Sequence, residues 1–558
     1  MDMNIVVIGG GACGLKAACR ARRRDPDAEI TVIEASKYPS LGRCGLPYYV
    51  GGIVNSIDDL RKTLAGAVRD ADYFKSIKNI DVLIETKAEK IDRNKKVVHI
   101  VKKDGSTDEI PYDYLVISTG ARPVRLNLPN ADAEGVVTLF DPDDAETILN
   151  LWEEEALDKA VIIGGGLIGL EMAEAFSRLD VDVTIVEIKD HILPALLDKE
   201  MAMLVQSYLV EKGIKVLTGS RVTEIIARDG KVAGVKVDGK EIEAQLVLMA
   251  VGVRPNVELA KDAGLTIGET GAIKVNERLQ TSDPNIYAGG DCVENIHLIT
   301  GKPIYMPLGT IANKHGRVIG DNITGGNSTF PGVLGTTIFK VLDLNVARTG
   351  LSEKQAKELG YEVITALVPG PDRSHYYPGQ KPIRIKLIAD AKSGRILGAQ
   401  IVGFGVVDKR IDVVATAIQM KATIYDLANL DLAYAPPYST ALDTLIHAAN
   451  VVKNKKDGLY QTISSYEVKS KLERGEDIVI LDVRTEEEYR KFKKIESEKV
   501  IRIPLKELRK SIDKLPKDKE IIIVCQIGNR AYEAQRILQG YGFKNVKVME
   551  GGMAFWFW

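Results

Sequence analysis

Two cysteines stand where a thiol could do chemistry, and neither has a second cysteine close by in the chain. Cys44 lies in "SLGRCGLPYY" (40–49), among small and basic residues. Cys525 lies in "EIIIVCQIGNR" (520–530), at the exit of an apolar strand and before a helix expected from about Ala531. A loop between a strand and a helix start aims several backbone N–H groups at one point. With the helix dipole and the cation of Arg530 added, it favours a sulfur anion, whether thiolate or persulfide. Cys44 raises a different question. Disulfide reduction usually takes two thiols, and the chain has no CxxC. Cys13, Cys19 and Cys292 read as small packing residues. Five scattered cysteines are too few for a disulfide framework, and the six histidines do not cluster with cysteines or acids, so no metal site is expected.

The elements that must position Cys44 begin with two copies of one device. "NIVVIGGGACG" is an apolar strand followed by Gly9-x-Gly11-x-x-Gly14, and the next strand, "EITVIE", ends on Glu34, twenty residues past Gly14. "AVIIGGGLIGLE" repeats it with Gly164, Gly166 and Gly169, and "VDVTIVE" ends on Glu187. The glycines let the backbone approach a pyrophosphate at a helix N-terminus, and the acid accepts hydrogen bonds from ribose hydroxyls. Two copies imply two dinucleotides, hence a flavin and a nicotinamide arranged for hydride transfer. Glu187 disfavours a 2′-phosphate and so favours NADH, with Lys189 close enough to weaken that preference.

At 558 residues the chain is long enough for three to four domains. A formal net charge of −2 gives no reason to expect nucleic acid as a partner. The N-terminus runs straight into a strand and a glycine turn, and no apolar run is long enough to span a bilayer, so a soluble cytoplasmic protein is expected.

Further segments carry a family resemblance. "VISTGARP" (116–123) and "MAVGVRPN" (249–256) look like chain crossings between two nucleotide domains, and "TSDPNIYAGGDC" (281–292) resembles the segment whose acid, here Asp291, meets the flavin. The first 450 residues resemble the flavin-dependent pyridine nucleotide-disulfide oxidoreductases. The resemblance implies an α/β protein with two nested Rossmann-like domains, FAD-binding over 1–118 and 251–328 and NAD(P)-binding over 119–250, then an α+β dimerisation domain over 329–450. The polar, lysine-rich stretch 451–462 reads as a linker. Beyond it, "LDVRTEEEY", "IPL", "CQIGNR" and "GGMAFW" resemble a rhodanese, an α/β domain over 463–558. Four residues separate Cys525 from Arg530, as in sulfur-transferring rhodaneses; phosphatase relatives have five. The family's His-Ile-x-Gly-Ala segment is replaced by "KKIESEKVIRIP". The closing "FWFW" is expected to pack on the rhodanese or the reductase.

By this resemblance, FAD would be held by Gly9, Gly11, Ala12, Gly14, Glu34, Ala35, Arg43, Thr119, Gly120, Asp291 and Ala312. NAD(P)H would be held by Gly164, Gly166, Ile168, Gly169, Glu187 and Gly252. Two-cysteine reductases read C-x4-C, and the second position here is Tyr49. Two single-cysteine solutions exist in the superfamily: a sulfenic acid, as in NADH peroxidases and oxidases, or a mixed disulfide with coenzyme A. The histidine that peroxidases carry in the first glycine loop is matched by Ala12. Lys16, Arg20 and Arg23 share one helix face. With Ser40, Arg43, Lys78, Asn313 and Tyr438 they fall where CoA reductases hold CoA. Tyr376, Tyr377 and Tyr434 resemble catalytic tyrosines that reach the partner's cysteine in a homodimer; Leu442 stands where that family has a cation. The resemblance thus implies NAD(P)H-driven reduction of CoA persulfide, polysulfide or CoA disulfide through Cys44, with Cys525 handling sulfane sulfur. A linker of roughly ten residues keeps the two sulfur sites at high effective concentration. The rivals are an NADH oxidase with a Cys44 sulfenic acid and a sulfur carrier serving a protein acceptor.

Overall fold

The computed structural model describes residues 3–558, which divide into two units: 3–190 with 214–333, and 191–213 with 334–558. The first unit holds two five-stranded parallel sheets. One runs in the order Ile286–Ala288, Tyr114–Ile117, Asn4–Ile8, Glu29–Ile33, Asp81–Leu83; the other runs Lys215–Thr218, Asp182–Glu187, Lys159–Ile163, Leu246–Met249, Val136–Val137. Each glycine motif leaves the central strand of its sheet. These strands are almost wholly apolar because a parallel sheet is covered on both faces. The two expected crossings pair with each other: Ala121–Pro123 and Val253–Pro255 form an antiparallel ribbon.

The helix Ala12–Arg24 buries a face of small residues, among them Cys13, Gly14, Ala17, Ala18 and Ala21. The helix Gly309–Ile323 packs against it so closely that a Cβ on Gly316 would lie 2.3 Å from the carbonyl oxygen of Cys13. Arg22, Arg23 and Arg24 close its last turn, where cations oppose the helix dipole.

The second unit holds an antiparallel sheet ordered Thr337–Val341, Leu344–Gly350, Ile396–Gly403, Pro382–Asp390, Val363–Pro371. It also holds a parallel sheet ordered Thr462–Ile463, Val546–Met549, Glu520–Val524, Ile478–Asp482, Val500–Arg502. Two departures from expectation appear here. The helix Lys199–Glu211, inside the span expected for NAD(P) binding, belongs to this unit. Buried Lys386 explains why: its Nζ meets Asp198 at 3.0 Å, Glu200 at 2.5 Å and Glu353 at 2.6 Å. The expected linker also begins as helix: Thr444–Lys456 runs through its first half, burying Leu445, Ile446, Ala448, Ala449 and Val452. The lysines that suggested a linker are its outer face. The aromatic tail packs on the C-terminal parallel sheet, with Phe555 and Trp556 buried and Trp558 against Tyr466. Among the described residues, no helix is long and apolar enough to cross a membrane.

Candidate functional site

The two glycine loops repeat one geometry. Gly9 and Gly164 take φ of +104° and +109°, and a Cβ on either would meet the carbonyl oxygen of Ser118 or Ala250. A Cβ on Gly14 or Gly169 would collide with the carbonyl oxygen of Gly9 or Gly164. Gly11 and Gly166 cap the helices with no side-chain acceptor and face open space, so first-turn N–H groups are free to meet an anion. Glu34 accepts from the Gly10 amide at 2.7 Å and from Ser36 N at 2.8 Å. Glu187 accepts from Gly165 N at 2.9 Å and Lys189 N at 2.8 Å. Each acid is thus oriented at the loop where a ribose would lie, and the donor set fits two dinucleotides.

Other predicted nucleotide residues gather around these loops. Ala12 opens the first helix and Ala35 follows Glu34, both exposed. Thr119 donates to the Asn256 carbonyl at 2.7 Å, and Gly120 accepts from Asn256 N, both within the crossing. Gly252 accepts from Val124 N there, and half-buried Ile168 lies in the first turn of Leu167–Arg178. Ala312 packs beside Gly290, next to Asp291. Burial pushes the Asp291 carboxyl up, with Arg43 opposing it.

Cys44 sits in a single 3-10 turn, Arg43–Gly45, just before the helix Leu46–Val50. Ser40, at φ +59°, donates its N–H to the Gly10 carbonyl and so ties this turn to the first glycine loop. The side chain reaches solvent, while partial burial of the sulfur pushes the thiol up, with Glu171 and Asp291 adding to it. Tyr49, in the position of a second cysteine, donates to Glu146 at 2.7 Å. Arg43 is engaged by Asp141 and stacks on Phe140.

The first glycine helix and its neighbours bring Lys16, Arg23 and Lys78 to one place. All three act on the Cys19 thiol, which burial pushes up and they pull back, and Arg69 joins them. Arg20 does not: it is turned to Asp321 at 2.5 Å. Asn313 is exposed, its amide donating to the Gly309 carbonyl. Tyr376, Tyr377, Tyr434, Tyr438 and Leu442 are all exposed, at 65%, 39%, 49%, 71% and 55%. Their two loops are joined where Ser374 donates to the Ser439 carbonyl. Both rest on the buried Arg410–Asp443 pair, in which Arg410 also donates to the Asp372 carbonyl.

Cys525 is fully buried. Its sulfur accepts from Gly528 N at 3.2 Å and Ala531 N at 3.4 Å. The following helix, Asn529–Gly540, begins two residues before the predicted start. Arg530 departs from expectation. It forms a two-pronged pair with Glu488, 2.6 Å on each branch, which holds that carboxyl down at about 2 and offsets the cation's field at the sulfur.

Two residues escaped the sequence reading. Glu171, two positions past Gly169, is pushed up to about 7 by burial, with Glu174 adding to it. An acid pair three apart on an otherwise apolar helix was its visible signal. Arg69, donating to the carbonyls of Arg61 and Lys62, had no signal in the sequence.

The family model for pyridine nucleotide-disulphide oxidoreductases matches residues 3–304, more than half the chain. The chain belongs to that family. FAD and NAD(P)H are the two dinucleotides it uses. The oxidoreductase dimerisation domain matches 336–446 and a rhodanese-like domain matches 464–557. The solved structure of an NAD-dependent persulfide reductase from A. fulgidus is 57% identical with a TM-score of 0.95, covering 99% of this chain and 100% of its own. An NAD(P)H coenzyme A polysulfide/persulfide reductase of Pyrococcus horikoshii is 39% identical, covering 81% of this chain and 99% of its own. An NADH oxidase of Methanocaldococcus jannaschii is 40% identical, covering 80% and 98%.

Proposed function

We propose that this oxidoreductase uses NAD(P)H, with NADH preferred, to reduce CoA persulfide, polysulfide or CoA disulfide through Cys44, and that Cys525 carries sulfane sulfur. The observation that carries this is an exposed cysteine at the glycine loop whose would-be partner is a tyrosine already bonded to Glu146, with Lys16 and Arg23 of the glycine helix and Lys78 of the helix Ala71–Lys78 all gathered about Cys19. A thiol from outside, delivered on a phosphate-bearing carrier, meets both conditions. The names of the A. fulgidus and Pyrococcus proteins support the same reading.

FAD bound here would supply two-electron chemistry between NAD(P)H and sulfur. Gly9, Gly11, Gly14 and Glu34, with Ala12, Ala35, Arg43, Thr119, Gly120, Asp291 and Ala312, would hold it. Gly164, Gly166, Gly169 and Glu187, with Ile168 and Gly252, would hold the nicotinamide nucleotide. Lys16, Arg23 and Lys78 bind the CoA phosphates, with Ser40, Arg43 and Asn313 beside them; Arg20 reaches them only by leaving Asp321. The Cys44 thiolate attacks the CoA-bound sulfur of CoA persulfide; the S–S bond breaks, hydrosulfide leaves and a Cys44–CoA disulfide forms. Two electrons and a proton then return the thiolate and free CoA. Glu171, whose pKa lies near neutrality, can hold and exchange that proton. In a homodimer the partner's tyrosines at positions 376, 377, 434 and 438 would complete the site, which accounts for four exposed phenols in two joined loops. Cys525, with Arg530 at its mouth, takes sulfane sulfur from or gives it to the CoA thiol.

The test is anaerobic NADH oxidation with CoA persulfide, polysulfide and CoA disulfide, comparing the wild type with Cys44→Ser. Sulfide or thiol release that vanishes in the variant supports the proposal. NADH consumption only on admission of oxygen replaces it with the oxidase reading, which the name of the Methanocaldococcus relative favours.

A further inference from the structure

The segment between the dimerisation sheet and the rhodanese-like sheet was expected to be a tether. Its second half is instead built into the pocket of Cys525. Tyr460 is 8% exposed and packs in the same core cluster as Cys525. Its ring meets Tyr532 edge-on at 4.8 Å, on the helix that follows the cysteine loop. Its hydroxyl faces Gly528: a Cβ there would lie 3.7 Å from it. Gly528 holds φ at +98° and donates the N–H that meets the Cys525 sulfur. The neighbouring residue is clamped as well. Buried Gln535 receives Gln461 N at 3.2 Å and donates to Gln461 O at 2.7 Å.

A second set of contacts reaches the same loop from the dimerisation side. Glu550, buried at the end of Val546–Met549, accepts from Lys455 Nζ at 2.5 Å and from Leu367 N at 2.9 Å. Lys455 belongs to the helix Thr444–Lys456 and also donates to the Thr365 carbonyl. Gly551 and Gly552 follow Glu550 at once, and Met553 N donates to the Cys525 carbonyl at 2.9 Å. A Cβ on Gly552 would lie 2.3 Å from that carbonyl oxygen, so the strand end is in direct backbone contact with the cysteine loop.

We propose that Tyr460 is a positioning residue for sulfur transfer at Cys525, fixing Gly528 with its N–H on the sulfur, and that the Glu550–Lys455 pair holds this arrangement against the dimerisation sheet. The rhodanese-like domain then works as a docked part of the reductase. The inference rests on the reading of Cys525 as a sulfur carrier.

Thiosulfate:cyanide sulfur transfer on the full-length holoenzyme tests it. The Cys525 thiolate attacks the sulfane sulfur of thiosulfate, the S–S bond breaks, sulfite leaves and Cys525 persulfide forms. Cyanide removes the outer sulfur as thiocyanate and restores the thiolate. Tyr460→Leu, which removes the ring from Tyr532 and the hydroxyl from beside Gly528, is expected to lower kcat about tenfold, with KM for thiosulfate within twofold. Glu550→Gln, which weakens the bond from Lys455, is expected to lower kcat about threefold. NADH-driven reduction of CoA disulfide by the same preparations stays unchanged. The inference is overturned if both variants keep kcat within twofold while Cys525→Ser is inactive, or if both activities fall together with the melting temperature. Sulfur transfer that survives in Cys525→Ser defeats the carrier reading itself, and this inference with it.

Discussion

The two sulfur centres are opposites. Cys44 reaches solvent, lies in a one-turn 3-10 segment and has acids for neighbours: Glu171 and Asp291 both raise its thiol, after partial burial. Cys525 is sealed from solvent and receives two backbone N–H groups. Their carboxylates differ in the same sense. Glu171 is pushed up to about 7 by burial, while Glu488 is held down at about 2 by Arg530. The first arrangement suits a thiol that must meet a partner from outside and exchange a proton with it. The second suits a sulfur held in place by backbone donors while it carries another atom. On the proposed function, one chain would hold a meeting point and a store.

Separability is the sharpest way to break this contrast. Cys44→Ser should reduce NADH-driven turnover by about 10³-fold or more and leave thiosulfate:cyanide transfer intact, and Cys525→Ser should do the reverse. If either single change removes both activities, the two centres are one. A smaller effect is expected from Glu171→Gln in urea unfolding followed across pH. The buried carboxyl has its folded pKa raised above the ordinary 4.5, so its contribution is fully present below about 4.5 and lost as pH rises through about 7. The wild type should lose about 3 kcal/mol over that range from this group, and the variant should not. Glu488 has the opposite sign: its contribution is present above 4.5 and lost as pH falls toward about 2.

Next in size, Lys16→Met with Arg23→Met should raise KM for CoA disulfide about tenfold with little change in kcat, an effect that shrinks as salt is added. An equal loss in kcat would place these cations at the reacting sulfur instead. Smallest, Glu488→Gln frees the Arg530 cation and should lower KM for anionic thiosulfate about two- to threefold, as expected of a partly exposed pair. A rise in KM would show that the pair holds the pocket open.

Both dinucleotide loops and the Cys525 loop were legible because local rules govern them. A strand, a glycine at positive φ, a helix start and an acid some twenty residues on leave few alternatives. What was not legible came from distant partners. Arg20 shares a helix face with Lys16 and Arg23, yet Asp321, 301 positions away, takes it. Arg530 was counted as a free cation because Glu488 lies 42 positions earlier, in another element. The lysines of 451–456 read as a tether since composition cannot distinguish a solvated chain from the wet face of a packed helix, here one whose Lys455 finds buried Glu550. Glu171 was within reach of pattern reading, because an acid on a buried helix face demands an explanation.

The ribbon of Ala121–Pro123 and Val253–Pro255 has a consequence for engineering. Ala121 stands directly opposite Pro255, and Arg122 opposite Arg254. The intervening polypeptide therefore leaves and rejoins its host at a single doorway one strand-pair wide. A foreign segment grafted there has to match two adjacent strand ends, and it has also to supply the Asp198 and Glu200 carboxylates that meet Lys386, because 191–213 of the same span belongs to the second unit.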